Sequence, residues 1–468
     1  MFLRSLYIYY VPVGHRLGMT ARFVGLDQWD PIAPRLGDSI WIKLLRKRPF
    51  GTIKSERIKM LSNGLFYTPL TGATRAEIEA GMAGKDETHY QRLLAELGEQ
   101  AQAADELGYD KLAISEHHFQ VEGFEVPNNP ILLNVHLAGL TKRIKLGQLG
   151  ILAAARHPLL IAEDIVMLDH ITKGRCFVGL ARGAHTRAVD VLGQKYGAHA
   201  PHPAFADADA RQVNLEQFEE SFEIMKSAWT KDTFSHQGKY WTLPPEDIYF
   251  KHPGTDRYGA GQNADGKIEQ IGIVPRPYTK PYPQVYVPFT SSPATVQWCA
   301  RNGIRLVVFT SIDEQIDTIL NNYHHAARDA GRDLAYGEGI AHFKSIIVAD
   351  TEAEARKSAE AVAWAWGEWL GGYGFNEAFR LPGESGAVPN DFDVTQRGQG
   401  FIVYGTPDQV VRRLQSFIER YNVDEMFNWV FNGVVSNAEI LKSFRLYATE
   451  VAPQLAALRS PAASSSQS

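Results

Sequence analysis

The stretch Tyr109-Asp110-Lys111-Leu112-Ala113-Ile114-Ser115-Glu116-His117-His118-Phe119 sets a short apolar run directly against a cluster of titratable side chains. Lys111 to Ser115 reads as a buried strand, short and apolar, with Gly108 ending the helix before it. The same rhythm returns downstream. A helix near Pro130 to Leu140 leads to the strand Ile144 to Leu152, and Arg156-His157-Pro158 opens a helix over Leu159 to Ile171 that Gly174 stops. Cys176 to Leu180 is the next strand, and it runs straight into Ala181-Arg182-Gly183. Strands that alternate with helices belong to parallel sheets, because a parallel crossover needs a helix to return the chain. After Ile114 and again after Leu180, the polar residues stand just past the end of a strand.

Working outward, Leu65-Phe66-Tyr67 is an upstream strand. A helix from about Asp86 to Leu107 carries Tyr90, Leu93, Leu94, Leu97, Ala101 and Ala104 on one face, with Thr88 and Gln91 spaced as a capping box. Another helix covers about Gln212 to Trp229. Residues 231–283 hold Gly, Pro and Asp clusters and read as an inserted hairpin and loop. Strands recur at Val285 to Phe289, Arg305 to Phe309, His342 to Val348 and Glu425 to Val430. Helical patterns follow them near Pro293 to Asn302, Asp313 to Ala330, Thr351 to Leu370 and Ser436 to Val451, the last opened by a Ser436–Glu439 capping box. An extra helix starts near Thr406-Pro407.

Eight strands, each followed by a helix, predict an α/β fold of the TIM (β/α)8 barrel type over residues 60–455. Its insertions are about 231–283 and 371–404; the second, Gly-rich from Gly371 to Gly400, is long for a connection and reads as an active-site lid or a disordered segment. Residues 1–59 carry eleven Lys and Arg against four acidic residues, show no steady period, and read as a poorly ordered extension. Residues 456–468 read as a flexible tail.

Composition narrows the function. Of the 468 residues 44% are hydrophobic and 22% charged, enough for a large core. A net charge of -5 offers no basic field for nucleic acid, and no apolar run approaches the roughly 18 residues of a membrane helix. Cys176 and Cys299, the only cysteines, make no disulfide framework, in keeping with a cytoplasmic protein.

In such a barrel the functional groups sit at the C-terminal ends of the strands. Glu116, His117 and His118 are placed there, where an imidazole can take or give a proton near neutral pH. Neighbouring side chains on an extended strand point to opposite sides, so the His117–His118 pair is a poor chelate and no metal is expected. Arg182 is either a surface arginine or a phosphate contact, to which its fork is suited. Ser291, Ser292 and Thr295 open a helix, where hydroxyls act as caps or hold a phosphate against the free N–H groups. No Gly-x-Gly-x-x-Gly opens a βαβ unit, which leaves a Rossmann nucleotide site without support. Trp364, Trp366 and Trp369 at helical spacing read as core or interface packing.

Taken as a set, Glu116-His117-His118-Phe119, Asn129-Pro130, His157-Pro158, Ala162-Glu163-Asp164, Leu168-Asp169, Gly174-Arg175 and Gly179 to Gly183 resemble the bacterial luciferase-like flavin monooxygenases. Val285-Tyr286-Val287, Ser292, Thr295, Trp298, Gly303 and Gly405-Thr406-Pro407 continue the likeness, collinear from about Met60 to Leu455. The resemblance implies a barrel that binds reduced FMN noncovalently at its mouth, forms a flavin hydroperoxide with oxygen, and oxidises a small apolar organic substrate. It further implies His117 as the catalytic histidine, Arg182, Ser292 and Thr295 as the phosphate grip, and Glu116 as support for the cofactor site. Leu149-Gly150 falls where the family has a cis peptide beside the flavin ring. A separate flavin reductase and a homodimer are the implied partners. Ala181 stands where the light-emitting subunit has a reactive cysteine, and Ser291 where it has an acidic residue; the first argues against assuming light emission.

Phe66, Tyr67 and Phe119 suggest an apolar substrate pocket. Two alternatives share the same barrel mouth. One is hydride transfer with a deazaflavin, and the other is a flavin-binding subunit without turnover.

Overall fold

The computed structural model describes residues 8–13, 16–21, 61–68, 71–183, 185–200, 208–290, 292–381, 383–397 and 400–458. Two compact units divide the chain at Arg57 and Ile58. In the first, Ile8–Val13 and Arg16–Ala21 form an antiparallel ladder; the rest of the basic extension lies outside the described residues.

The second unit is a closed parallel barrel. Its strands are β1 (Ser62–Tyr67), β2 (Lys111–Ile114), β3 (Lys145–Gln148), β4 (Cys176–Ala181), β5 (Gln284–Pro288), β6 (Arg305–Val308), β7 (Ile340–Val348) and β8 (Glu425–Val430). Each pairs in parallel with the next, and β8 pairs with β1 to close the ring. Two short strands extend the ring at its C-terminal side: Ile151–Leu152 on β4 and Ile402–Gly405 on β7. The predicted strands are all present, so the eightfold reading of the sequence stands.

The outer helices are α1 (Glu87–Leu107), α2 (Pro130–Leu140), α3 (Pro158–Thr172), α4 (Ala208–Thr230), α5 (Pro293–Asn302), α6 (Asp313–Asp329), α7 (Glu352–Glu368), α8 (Pro407–Tyr421) and α9 (Asn437–Leu446). Gly108 closes α1 at φ 86°, in the left-handed region that suits glycine. Its start differs from the predicted capping box. Asp86, two residues earlier, is the cap, accepting from the N–H groups of Thr88 and His89 and from the Thr88 hydroxyl, which is thereby spent on the cap itself. The Ser436–Glu439 box at α9 is formed as expected. At the C-terminus the helix Ala452–Leu458 runs into the segment read as a tail; the residues after it lie outside the described ones.

Three layers fill the barrel. At the N-terminal end Glu425 accepts from Lys111, from Arg305 at 2.9 Å and from the Tyr286 hydroxyl at 3.1 Å. Above it Phe177, Tyr286, Phe343 and Phe427 interlock edge to face. Gly64 and Gly147 make room for them: a Cβ would stand 2.4 Å from the Phe427 ring at one and 2.6 Å from the Phe177 ring at the other. At the C-terminal end the aromatic packing opens, and a cavity begins.

The insertion at 231–283 carries the predicted hairpin, His236–Gln237 against Thr242–Leu243, with a short helix Pro253–Tyr258. The carboxylate of Glu220 on α4 accepts from the N–H groups of Lys239, Tyr240 and Trp241 and fixes the turn. The segment after α7 is packed, not loose. It runs through the 3-10 turns Leu370–Tyr373 and Phe375–Phe379 and buries Leu370, Phe379, Val388, Phe392 and Val394. Its apolar side chains supply the anchoring that its Gly content conceals. No helix among the described residues is long and apolar enough to cross a membrane.

Candidate active site

The cavity at the C-terminal mouth has a volume of about 440 Å³. Eight of the residues singled out in the sequence line it: Phe66, Glu116, His117, Leu149, Gly150, Arg182, Ser292 and Thr295. They come from four strand ends and one helix start, brought together because the barrel gathers every strand terminus on one rim. Two do not reach it. Tyr67 is fully buried, one residue along from Phe66, and the strand's period of two turns it to the opposite face. Phe119 is 47% exposed and faces outward, its carbonyl accepting from Arg187. Ser291 lies outside the described residues.

One end of the cavity suits an anion. Ser292 caps the N-terminus of α5, and its side chain is not spent on the helix. Thr295, one turn in, is buried, and its hydroxyl has no hydrogen-bond partner among the described residues. Free N–H groups and the helix dipole favour negative charge there. Arg182, which follows the neighbouring strand β4, is oriented by α4: its Nε donates to Asn214 Oδ1 at 2.9 Å and its Nη2 to the Arg211 carbonyl at 2.8 Å.

The wall between is apolar and close-fitting. The Leu149–Gly150 peptide is cis, as the resemblance implies. A Cβ at Gly150 would stand 2.9 Å from the Gly179 carbonyl, so only glycine lets this bend lie against β4. Glu116 holds the bend from the other side. Its Oε2 accepts from the Leu152 N–H at 3.0 Å and its Oε1 from His118 Nε2 at 2.9 Å. Phe289, Leu370, Phe375 and Trp429 complete the apolar lining. Ala181 is on the rim as well.

His117 and His118 turn to different carboxylates. His118 is bound to Glu116, whereas His117 Nε2 lies 3.5 Å from Glu125 Oε1, and its Nδ1 is buried without a partner among the described residues. Burial pushes the His117 pKa down to about 3, with Glu116 opposing and His118 assisting, so the ring is neutral at physiological pH. Glu125 and His185 were not singled out from sequence. Glu125 sits in a loop with no motif around it, and His185 is a lone histidine after Arg182-Gly183-Ala184. The signal that would have found them is spatial: Glu125, itself buried, and His185 both line the cavity, the His185 ring 4.9 Å from that of His117. Trp369, read as packing, also has a polar role, donating from Nε1 to Glu125 Oε2 at 2.7 Å.

The cavity, the buried histidine and a helix start open to an anion share the C-terminal rim, where barrel enzymes carry their active sites. The family model for luciferase-like monooxygenases matches residues 80–424, and the chain belongs to that family. It is an oxidoreductase of the luciferase-like monooxygenase type.

Among its relatives is 3,6-diketocamphane 1,6-monooxygenase of Pseudomonas putida, 26% identical over 326 residues, covering 68% of this chain and 80% of that protein. The oxygenase component of the flavin-dependent trigonelline monooxygenase of Acinetobacter baylyi is 24% identical over 357 residues, covering 75% and 86%. Among solved structures, the oxygenating constituent of 3,6-diketocamphane monooxygenase from the CAM plasmid of Pseudomonas putida, in complex with FMN, superposes with a TM-score of 0.64. That match has 21% identity and covers 84% of this chain and 98% of the other.

Proposed function

We propose that the chain is the oxygenase component of a two-component monooxygenase that takes reduced FMN from a separate flavin reductase and oxidises a small apolar organic substrate. The observation that carries this reading is the buried Thr295 hydroxyl at the start of α5, without a partner among the described residues and lining the same cavity as Arg182. A buried hydroxyl without a partner costs about 1–3 kcal/mol, so its retention fits a ligand that supplies the acceptor. The trigonelline relative, whose name specifies a flavin-dependent oxygenase component, and the FMN-bound structural neighbour support the choice.

In this reading Ser292, Thr295 and Arg182 hold the phosphate, and the Leu149–Gly150 bend with Phe66 and Trp429 faces the ring. When bound, reduced flavin would supply the electrons with which oxygen is activated. His117, held neutral, serves the reacting end as a proton acceptor. Leu370 and Phe375 keep water from the cavity. The apolar residues Leu132 on α2 and Leu160, Met167 and Ile171 on α3 are at least 48% exposed, in keeping with the homodimer that the resemblance implies. A cytoplasmic location belongs to the same proposal, since a reductase must share the compartment.

Anaerobic titration with reduced FMN, and separately with a reduced deazaflavin, followed by oxygen, tests the assignment. Tight FMN binding and a long-lived absorbance intermediate after oxygen are expected. Preferential deazaflavin binding with no oxygen-dependent intermediate would replace monooxygenation by hydride transfer, and FMN binding with no turnover across aldehydes, alkanes and terpenes would leave a flavin-binding subunit.

The phosphate grip has its own test. Thr295→Val keeps the shape and removes the hydroxyl, and should weaken reduced FMN by about 10- to 100-fold, the usual worth of a hydrogen bond to a charged group. Reduced riboflavin, which lacks the phosphate, should bind the variant as it binds the parent. Equal weakening of both ligands would place the phosphate elsewhere.

A further inference from the structure

Beneath the mouth, one buried carboxylate meets two imidazoles. Glu125 is 2% exposed. Its Oε1 faces His117 Nε2 at 3.5 Å and accepts from the Thr68 hydroxyl at 3.3 Å; its Oε2 faces His185 Nε2 at 3.7 Å and accepts from Trp369 Nε1 at 2.7 Å. One polar atom from each of His117, Glu125 and His185 lies within 4.8 Å of the others. An isolated buried carboxylate is strongly disfavoured, so two hydrogen bonds and two imidazole nitrogens gathered on this one mark an arrangement with a use.

We propose that Glu125 is the positioning residue of His117, holding its ring as the Nε2–H tautomer, and that His185 shares the same carboxylate and so tunes His117. The logic is that of a base oriented by a third group: a carboxylate beside one ring nitrogen fixes the proton there and leaves the other nitrogen's lone pair available. The unpartnered Nδ1 of His117 is that second nitrogen. His185 is braced for its part. Its Nδ1 lies 2.9 Å from the Gln120 amide, and its ring stacks on Tyr373 at 4.1 Å.

The arrangement also joins the base to the segment that covers the mouth. Trp369 and Tyr373 stand at the end of α7 and in the turn after it, and they touch Glu125 and His185 respectively. The other charged groups around the cluster are Glu116 and His118 beside His117, and Arg187 and Glu122, paired with each other near Tyr373. Burial raises the Glu125 pKa, with His185, Trp369 and Thr68 acting against it.

The inference takes from the preceding section only that His117 is the base of the site. Its test needs neither flavin nor substrate, so a failure of the flavin assignment and a failure here are separate results. The measurement is the imidazole nitrogen spectrum of the full-length protein, labelled with ¹⁵N at histidine, across pH.

The parent should show His117 as a single neutral Nε2–H tautomer. Glu125→Gln should give a mixture of tautomers, and Glu125→Asp should restore part of the single form. If Glu125→Gln does not fold, His185→Gln reads the same carboxylate: the His117 signals should keep their tautomer and move in their titration. His117 signals identical to the parent's in every folded variant would overturn the proposal. So would zinc found at one equivalent in the isolated protein and lost in His185→Gln, because the cluster would then be a metal centre and not a positioned base.

Discussion

Replacing His117 with alanine is expected to lower substrate oxidation by about 10²–10⁴-fold, the usual contribution of a positioned acid–base group. Reduced-FMN affinity should be nearly unchanged. The two effects separate because the two ends of the cavity are built from different elements. His117 follows β2 and is held from below by Glu125, whereas Thr295 and Ser292 open α5 and Arg182 follows β4. A ring held neutral by burial contributes a lone pair and no charge, so its loss should leave the electrostatics of the anion end intact. The comparison is steady-state oxidation, on whichever aldehyde, alkane or terpene the parent turns over, set against anaerobic flavin titration. Equal loss of both would mean that His117 shapes the cofactor site and does not serve the reaction.

The second large effect is on stability, at the other end of the barrel. Glu425→Ala should destabilise the fold by about 3–5 kcal/mol, the cost of removing one member of a buried charge network. Glu425 is the carboxylate on which Lys111, Arg305 and the Tyr286 hydroxyl converge, at the junction of β8, β2, β6 and β5. Without it, two cations and a phenol face one another under the aromatic layer, answered by Asp424, 2.9 Å from Arg305, and by the Ser62 hydroxyl, 3.1 Å from Lys111. The position is well away from the mouth, so folded Glu425→Ala protein should still bind reduced FMN as the parent does. Denaturant unfolding followed by both tryptophan fluorescence and circular dichroism checks it; a midpoint equal to the parent's would show that the network contributes nothing.

These predictions draw on information of two kinds. Elements with a strong local signature were legible along the chain. The apolar runs that became β1 to β8 were visible because a strand buried on both faces is predominantly apolar, and helices such as Pro293–Asn302 because proline and glycine mark their ends. The site residues that follow directly on a strand, Glu116, His117 and Arg182, were legible for the same reason: in a parallel barrel, the position after a strand is a position on the rim.

What the sequence left open depends on direction and on distance. Phe66 and Tyr67 are adjacent and chemically alike, yet the pleat sends one to the cavity and the other away from it. Phe119 follows the two histidines but leaves the rim at φ 63°, a backbone turn that no local pattern announces. The Gly-rich segment after α7 was open to two readings until its buried Leu370, Phe379 and Phe392 showed what anchors it.

The sequence by itself determined the barrel, its mouth and the family, because period, punctuation and motif order are properties of neighbours along a chain. Only the tertiary structure decided which carboxylate serves which histidine. Glu125 reaches His117, His185 and Trp369 across sequence separations of up to 244 residues, and closing the barrel is what turns those separations into contacts.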